Sequence, residues 1–187
     1  MSRSIITERW LSAIPIFVPA IVLLGLVFLP GCDKGVDLGQ QGRIVVNEGI
    51  DGVRIGDDEA TVKRKLGEPS SIMIGDFNGV GYEYTTGRYA KMYIGIYSPT
   101  ATPSGVFSIS VSSPYSGTTQ EGIGIGSRRV DVLRHFGQPT LHSQADSTSW
   151  DRYECEQHLF LLEYRSDVVE WLTIGLKVWP PLVGGGS

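Results

Sequence analysis

Two cysteines and three histidines are the residues of this chain with the greatest capacity for chemistry. Cys155 and His158 have the spacing of a zinc-binding pair, but the sequence holds no second pair to complete a site. A catalytic thiol needs a stabilised thiolate, and Glu154 and Glu156 on either side of Cys155 disfavour that anion. We therefore interpret Cys155 as a small apolar residue buried in a strand. We predict no enzymatic activity, no catalytic residue and no metal site.

The other candidate sites have structural explanations. His135 falls at the end of a predicted helix, where the helix dipole favours a positive charge. The glycine-rich segment 122–126 precedes a helix, as phosphate-binding loops do, but the parallel strand–helix unit that such loops require is absent. Excluding residues 1–32 leaves 14 basic and 19 acidic residues, and a net charge of −5 disfavours nucleic acid. The sequence thus predicts no cofactor and no nucleic-acid partner.

The first 32 residues have the composition of an export signal. Arg3 and Arg9 precede an uncharged apolar segment, and residues 29–32 read Leu-Pro-Gly-Cys. These four residues resemble the lipobox of bacterial lipoproteins, in which the cysteine, here Cys32, is acylated. The alternative is a retained transmembrane anchor, since about 20 apolar residues can span a bilayer. We favour the lipoprotein signal, which predicts a cell-envelope protein attached to a membrane through lipid on Cys32, with its soluble part extracytoplasmic.

An internal duplication organises the rest of the chain. Residues 52–69 and 122–139 align without a gap, 70 positions apart, and seven of the 18 pairs are identical. Each copy has a glycine-containing entry, a candidate N-cap (Asp57 or Ser127), a short helix with an apolar stripe, and a Gly-x-Pro exit. A helix of about ten residues is too short to be stable alone in water, so each copy must pack on a sheet.

Runs of β-branched and aromatic residues after each helix supply the predicted sheets. Strands are predicted at 71–74, 81–84, 91–97 and 106–111 after the first helix, and at 148–155, 158–164 and 168–174 after the second. The predicted fold class is α+β, with two tandem repeats, each a short helix packed on a three- to four-stranded antiparallel sheet. The predicted boundaries are a signal peptide at 1–32, a tether at 33–42, a first repeat at 43–115, a second repeat at 116–178 and a loose tail at 179–187.

The tyrosines and tryptophans suggest a binding face. In segment 91–97 the alternation places Met92, Ile94 and Ile96 on one face of the strand and Tyr93 and Tyr97 on the other. An antiparallel sheet can leave one face uncovered, and aromatic side chains are favoured anchors in interfaces. The alternative is that the aromatic residues fill the core or its rim. The predicted binding residues are Tyr93, Tyr97, Tyr82, Tyr84 and Trp150.

The duplicated motif also carries a family resemblance. The residues that carry it are Ile55, Gly56, Val62, Leu66, Gly67 and Pro69, with their partners Ile125, Gly126, Val132, Phe136, Gly137 and Pro139. With the strands that follow each copy, they resemble the SmpA/OmlA lipoprotein family and, in tandem, the fold of the secreted β-lactamase inhibitor protein. The resemblance implies a membrane-tethered, non-enzymatic protein-binding module of a bacterial envelope, whose partner is an unidentified envelope protein. The alternative that it implies is an inhibitor of an extracytoplasmic hydrolase.

Overall fold

The computed structural model describes residues 42–75, 79–85 and 91–177. The predicted signal peptide with Cys32, the tail, and all of the tether except its last residue lie outside these ranges. The helices are α1 (Glu59–Leu66) and α2 (Arg129–Phe136). The strands are β1 (Ile44–Val45), β2 (Gly49–Ile50), β3 (Val53–Arg54), β4 (Ser71–Gly75), β5 (Gly79–Tyr84), β6 (Met92–Tyr97), β7 (Gly105–Ser112), β8 (Leu141–Ala145), β9 (Thr148–Cys155), β10 (His158–Arg165) and β11 (Val168–Leu176). Neither helix of the described ranges is long and apolar enough to cross a bilayer.

One antiparallel sheet of eight strands dominates the molecule. Its strand order is β4–β5–β6–β7–β11–β10–β9–β8, and the short strands β1, β2 and β3 form a separate three-stranded sheet. The centre of the large sheet is the pairing of β7 with β11, in which Ile109 lies opposite Ile174 and Val111 opposite Leu172. The strands that follow the two helices therefore share one sheet.

The predicted α+β class, with two tandem repeats that each pack a short helix on their own three- to four-stranded sheet, is wrong. The protein is mostly β, with 50% strand, one eight-stranded sheet and one three-stranded sheet. The physical reason lies in β7 and β11, which are the last strands of the two predicted repeats. Each would present a row of unpaired backbone N–H and C=O groups at the edge of an isolated sheet, and pairing them satisfies both rows.

The helices begin one residue later than the predicted caps require. Asp58 is the N-cap of α1 and accepts a hydrogen bond of 2.7 Å from the backbone N–H of Thr61. Arg128 occupies the N-cap position of α2 and makes no capping hydrogen bond with its side chain. The predicted caps Asp57 and Ser127 instead accept from backbone N–H groups three residues earlier, so they stabilise the turns that lead into the helices.

Both helices cover the same face of the large sheet, which we call the helix face. Val62 of α1 and Val132 and Phe136 of α2 belong to one buried apolar cluster with the strands beneath them. Alternation along the strands supplies the rest of this layer. Its buried strand residues include Tyr82, Tyr84, Met92, Ile94, Ile96, Ile109, Val111, Phe160, Leu162, Tyr164, Leu172 and Ile174. We call the opposite face of the sheet the distal face.

The buried tyrosines of the helix face predict a loss of stability in alkali. Burial first, and then a hydrogen bond to Glu59, raise the pKa of Tyr82 to about 12. Burial also raises the pKa values of Tyr84, Tyr153 and Tyr164. The folded protein thus keeps protons that the unfolded chain releases from about pH 10, so the free energy of unfolding must fall as the pH rises from 10 to 12.

Urea unfolding at pH 9, 10 and 11 checks this prediction. We expect a constant free energy of unfolding up to about pH 9.5 and a progressive loss above it. Tyr82→Phe removes one of the titrating hydroxyls, so the free energy of unfolding of this variant should fall less steeply with pH. Equal stability of the unsubstituted protein at pH 9 and pH 11 would contradict the prediction.

Candidate functional site: an acid–aromatic row on the distal face

A row of carboxylates and aromatic rings crosses the distal face. Strand register places Glu83 of β5 opposite Tyr93 of β6, Trp171 of β11 opposite Glu163 of β10, and Glu163 opposite Trp150 of β9. Directly opposed residues of antiparallel strands have Cβ atoms about 4.5–5.5 Å apart. We call these five residues the acid–aromatic row.

Serines of the central strand allow the row to be continuous. Between β6 and β11 lies β7, where Ser110 is opposite Tyr93 and Ser112 is opposite Trp171. Two strands separated by a third lie roughly 9.6 Å apart, yet the rings of Tyr93 and Trp171 stack with centroids 5.2 Å apart and planes at 23°. The rings reach each other because the serine side chains between them are small. The hydroxyl of Ser110 is itself buried and lies 2.8 Å from that of Thr173.

The carboxylates of the row are held by neutral donors. The Ser71 hydroxyl donates to Glu83 Oε2 at 2.7 Å, and Trp150 Nε1 donates to Glu163 Oε2 at 3.1 Å. A hydrogen bond to Glu83 is the main cause that raises the pKa of the Tyr93 hydroxyl. Within the described ranges neither carboxylate of the row forms a salt bridge. The row is therefore a polar and aromatic surface with two carboxylates that pair with no cation of the described residues.

A groove of about 560 Å³ borders the row. Residues of the row contribute to its wall, and Lys91, Arg165 and Glu170 add charge. Arg165 Nε lies 3.1 Å from Glu170 Oε2, which neutralises that pair. The groove thus offers aromatic surface and fixed hydrogen-bonding groups to a ligand on the distal face.

The structure separates the predicted binding residues into three places. Tyr93 lies on the distal face in the acid–aromatic row, as the alternation of its strand predicts, and Trp150 lies in the same row. Tyr97 lies on the same face but packs on Phe107, with ring centroids 4.3 Å apart, beside a different groove of about 380 Å³.

Tyr82 and Tyr84 do not belong to the distal face, so their assignment to a common binding surface is corrected. Both are buried on the helix face beneath α1, with 2% and 4% of their surface exposed. The hydroxyl of Tyr82 donates to Glu59, and that of Tyr84 donates to the carbonyl oxygen of Gly67 at 3.2 Å. These tyrosines attach the helix to the sheet, and they are inaccessible to a partner.

A second cluster of charged residues lies at the edge of the helix face. Arg129 donates to both carboxylate oxygens of Asp151, from Nε at 2.8 Å and from Nη2 at 3.0 Å, and His142 Nδ1 lies 2.7 Å from Oδ1. The side chain of Asp151 is fully buried. Because its carboxylate is occupied by the bidentate contact with Arg129, we interpret the cluster as a structural ion pair that fixes α2 on β9. Among the described residues no group of three His, Cys, Asp or Glu side chains is arranged to hold a metal ion.

Cys155 differs from its interpretation as an apolar thiol. It is half-buried at the end of β9, and it is bonded in a disulfide. The interpretation of Cys155 as a small apolar residue buried in a strand is therefore wrong.

Three residues that complete the two clusters, Trp171, Glu163 and Asp151, are not among the predicted binding residues. Trp171 and Glu163 were separated from Tyr93 by many positions in the chain, and only the pairing of β7 with β11 brings them together. Asp151 lies 22 residues from Arg129, and a lone aspartate in a predicted strand gave no sign of burial. Alternation on β10 did offer one signal, since it puts Glu163 on the face opposite Phe160 and Leu162.

Comparison with known proteins supports the fold alone. No protein-family model and no curated protein matches the sequence, so the resemblance to the SmpA/OmlA family stays an expectation. The structure is similar to that of an extracellular protein with an SCP domain from Bacillus anthracis, with a TM-score of 0.51 and 14% identity over 66% of this chain and 44% of that chain. A DUF4309 family protein from Bacillus subtilis (YjgB) matches with a TM-score of 0.48 and 11% identity over 70% of this chain and 88% of that chain.

A proposed β-lactamase inhibitor protein from Streptococcus mutans matches with a TM-score of 0.26 and 13% identity, over 66% of this chain and 83% of that chain. That score is too low to support a shared fold or a shared activity. The chain matches less than half the length of the Bacillus anthracis protein, so the activity of that whole protein is not transferred. At these identities the comparisons place the described residues in a known type of fold and assign no family.

Proposed function

We propose that this chain is a membrane-tethered protein of a bacterial envelope whose distal face binds another protein. The observation that carries the proposal is the acid–aromatic row, in which Tyr93, Trp171 and Trp150 stand on one face of a wide sheet. Tyrosine and tryptophan combine a large apolar surface with a polar tip, and they dominate the binding energy of many interfaces. The row lies on the face turned away from α1 and α2, so a partner could contact it without displacing either helix.

Photo-crosslinking in intact cells tests this binding face. A benzophenone side chain at Leu161, which lies on the distal face next to the row, should capture a specific protein. The same group at Val130, which is 51% exposed on α2, should not. Capture at both positions, or at neither, would count against the proposal.

A variant of the row makes the crosslinking result specific. Tyr93→Ala combined with Trp150→Ala should reduce capture from Leu161 by about tenfold or more, because it removes two aromatic anchors. Thermal melting of the double variant must show that it remains folded. Unchanged capture by a folded double variant would remove the row from the interface.

The proposed tether is lipid on Cys32, supported by the Leu-Pro-Gly-Cys sequence that follows the apolar leader. The chain has two cysteines, and a sulfur that carries a lipid in a thioether cannot form a disulfide. Acylation of Cys32 therefore requires that the Cys155 disulfide be intermolecular or absent in the mature protein.

Intact mass spectrometry of membrane-extracted protein shows whether Cys32 is acylated. A mature chain that begins at an acylated Cys32 would support the tether. A chain without the acyl mass, whose mass rises by two hydrogen atoms when a disulfide between its two cysteines is reduced, would refute it. Thiol alkylation before and after reduction reports the state of Cys155 in the same sample.

The alternative proposal keeps the distal face and changes the partner to an extracytoplasmic hydrolase. Inhibition assays of the purified protein against a panel of β-lactamases and proteases distinguish an inhibitor from a binding module. Slowed hydrolysis that is lost in the Tyr93→Ala, Trp150→Ala variant would favour an inhibitor. A partner captured in cells together with no inhibition at micromolar concentration would favour a binding module.

A further inference from the structure

We propose that Glu163, between Trp150 and Trp171, binds a basic side chain of the protein partner, an arginine or a lysine. The inference rests on the proposed function of the distal face and names the chemistry that this face recognises. It assigns the central contact to one carboxylate and the two indole rings beside it.

The register of three adjacent strands creates the site. Glu163 is the direct cross-strand neighbour of Trp171 on one side and of Trp150 on the other. Both indoles therefore stand within one cross-strand spacing of the carboxylate. The hydrogen bond of 3.1 Å from Trp150 Nε1 fixes the position of Oε2. Within the described ranges the other oxygen, Oε1, accepts no hydrogen bond, so it remains available to a ligand.

The cations described near Glu163 are paired with other carboxylates or are not paired with Glu163. The nearest cation along the strand, Arg165, is paired with Glu170 at 3.1 Å. Arg152 of the neighbouring strand shares Glu154 with Lys177, at 2.8 Å and 2.7 Å, and neither cation forms a salt bridge with Glu163. Lys91 lines the same groove, but its backbone is three strand spacings from that of β10, roughly 14 Å, and its side chain forms no salt bridge with Glu163. Among the described residues no cation is paired with Glu163, so a cation on the partner would be the first to contact its carboxylate.

The aromatic rings beside Glu163 also favour a cationic ligand. The face of an indole ring attracts a cation, and the attraction is stronger where water is excluded. A guanidinium group can stack on the indole and donate hydrogen bonds to the carboxylate at the same time. A carboxylate flanked by two indoles therefore matches an arginine side chain in both charge and shape, and a lysine in charge.

A neutral ligand, such as an oligosaccharide stacked on the tryptophans, fits less well. Covering Glu163 with a neutral group would bury an ionised carboxylate without a partner, which is costly. One face of the Trp171 ring is also occupied by Tyr93, which limits the flat surface available to a sugar ring. The balance of these effects favours a basic side chain over a glycan.

The test uses the full chain in detergent micelles and two capped tripeptides, Gly-arginine-Gly and Gly-citrulline-Gly. Citrulline has nearly the shape of arginine without the charge. Binding is followed through the indole N–H resonances of Trp150 and Trp171 in a nitrogen-15 correlation spectrum. We expect the arginine peptide to bind about tenfold more tightly than the citrulline peptide, a difference that falls at high salt.

Two variants identify the group responsible. Glu163→Gln should make the dissociation constants of the two peptides about equal, while the indole resonances keep their dispersion. The matched control Glu121→Gln changes an exposed glutamate outside the row and should leave the preference unchanged. A preference that survives in Glu163→Gln, or is lost equally in Glu121→Gln, would overturn the assignment.

Further outcomes separate this inference from the proposed function. Equal binding of the two peptides, or no response of either indole to the arginine peptide, would overturn the cation site. Movement of the indole resonances by chito- or cello-oligosaccharides instead of arginine would show a glycan platform, which also overturns it. Position-specific crosslinking through the distal face together with equal peptide binding would leave the proposed function standing and remove only this inference.

Discussion

Arg129→Met is expected to lower the free energy of unfolding by about 3–5 kcal/mol. The side chain of Asp151 is fully buried, and Arg129 makes two hydrogen bonds to it, of 2.8 Å and 3.0 Å. Removing the guanidinium leaves the carboxylate buried without its charged partner, and an uncompensated charge in the interior is far more costly than a lost surface pair. Urea unfolding followed by circular dichroism measures the loss.

Two further variants show whether the loss of stability comes from the contact between Arg129 and Asp151. Arg128→Met changes the neighbouring exposed arginine, which makes no side-chain capping bond, and should shift stability by no more than about 0.5 kcal/mol. Arg129→Met combined with Asp151→Leu replaces the pair by apolar side chains and should recover most of the loss. Similar losses in Arg128→Met and Arg129→Met would mean that the buried contact contributes little.

Leu172→Ala is expected to cost about 2–5 kcal/mol and to weaken the whole large sheet at once. Leu172 has no exposed surface, and it lies opposite Val111 at the junction of β7 and β11. The truncation removes apolar contacts from the central pair of strands and leaves a cavity there. Because the sheet is continuous through that pair, the variant should unfold in a single transition at lower urea concentration.

The matched control for Leu172→Ala is Ile74→Ala, a truncation on the edge strand β4. Ile74 is 89% exposed, so its loss should change stability by about 0.5 kcal/mol or less. Coincident curves from tryptophan fluorescence and far-ultraviolet circular dichroism would establish the single transition. Two separated transitions in Leu172→Ala would instead show that the first half of the sheet is stable without the second.

Local patterns in the sequence predicted the elements better than their assembly. The alignment of segments 52–69 and 122–139 placed both helices, because caps and apolar stripes are properties of a few neighbouring residues. Strand β8 was missed, since it is an edge strand whose five residues are all exposed and show no apolar alternation. The joining of β7 to β11 was also missed, because it links residues such as Ile109 and Ile174 that are far apart in sequence.

In the candidate site, too, local sequence patterns predict single strands but not how the strands come together. Alternation separated Tyr93 from Met92 and Ile94 correctly, because the apolar side of that strand is unambiguous. In β5 the residues Gly81 to Tyr84 give two tyrosines on one side and a glycine and a glutamate on the other, which does not reveal the buried side. The structure resolves this through the tyrosine hydroxyls, which reach hydrogen-bond acceptors on α1.

The place of β11 in the sheet has a consequence for the nascent chain. The last described strand to be synthesised is also the one that pairs with β7 at the centre, where Ser108 meets Gly175. Until the ribosome has made that segment, β7 ends the growing sheet with an open row of peptide groups, and no earlier strand can substitute for β11 without changing the topology. Completion of the sheet is therefore tied to the synthesis of β11, and a chain that stops before Val168 would expose β7 as an unpaired edge that can pair with other chains.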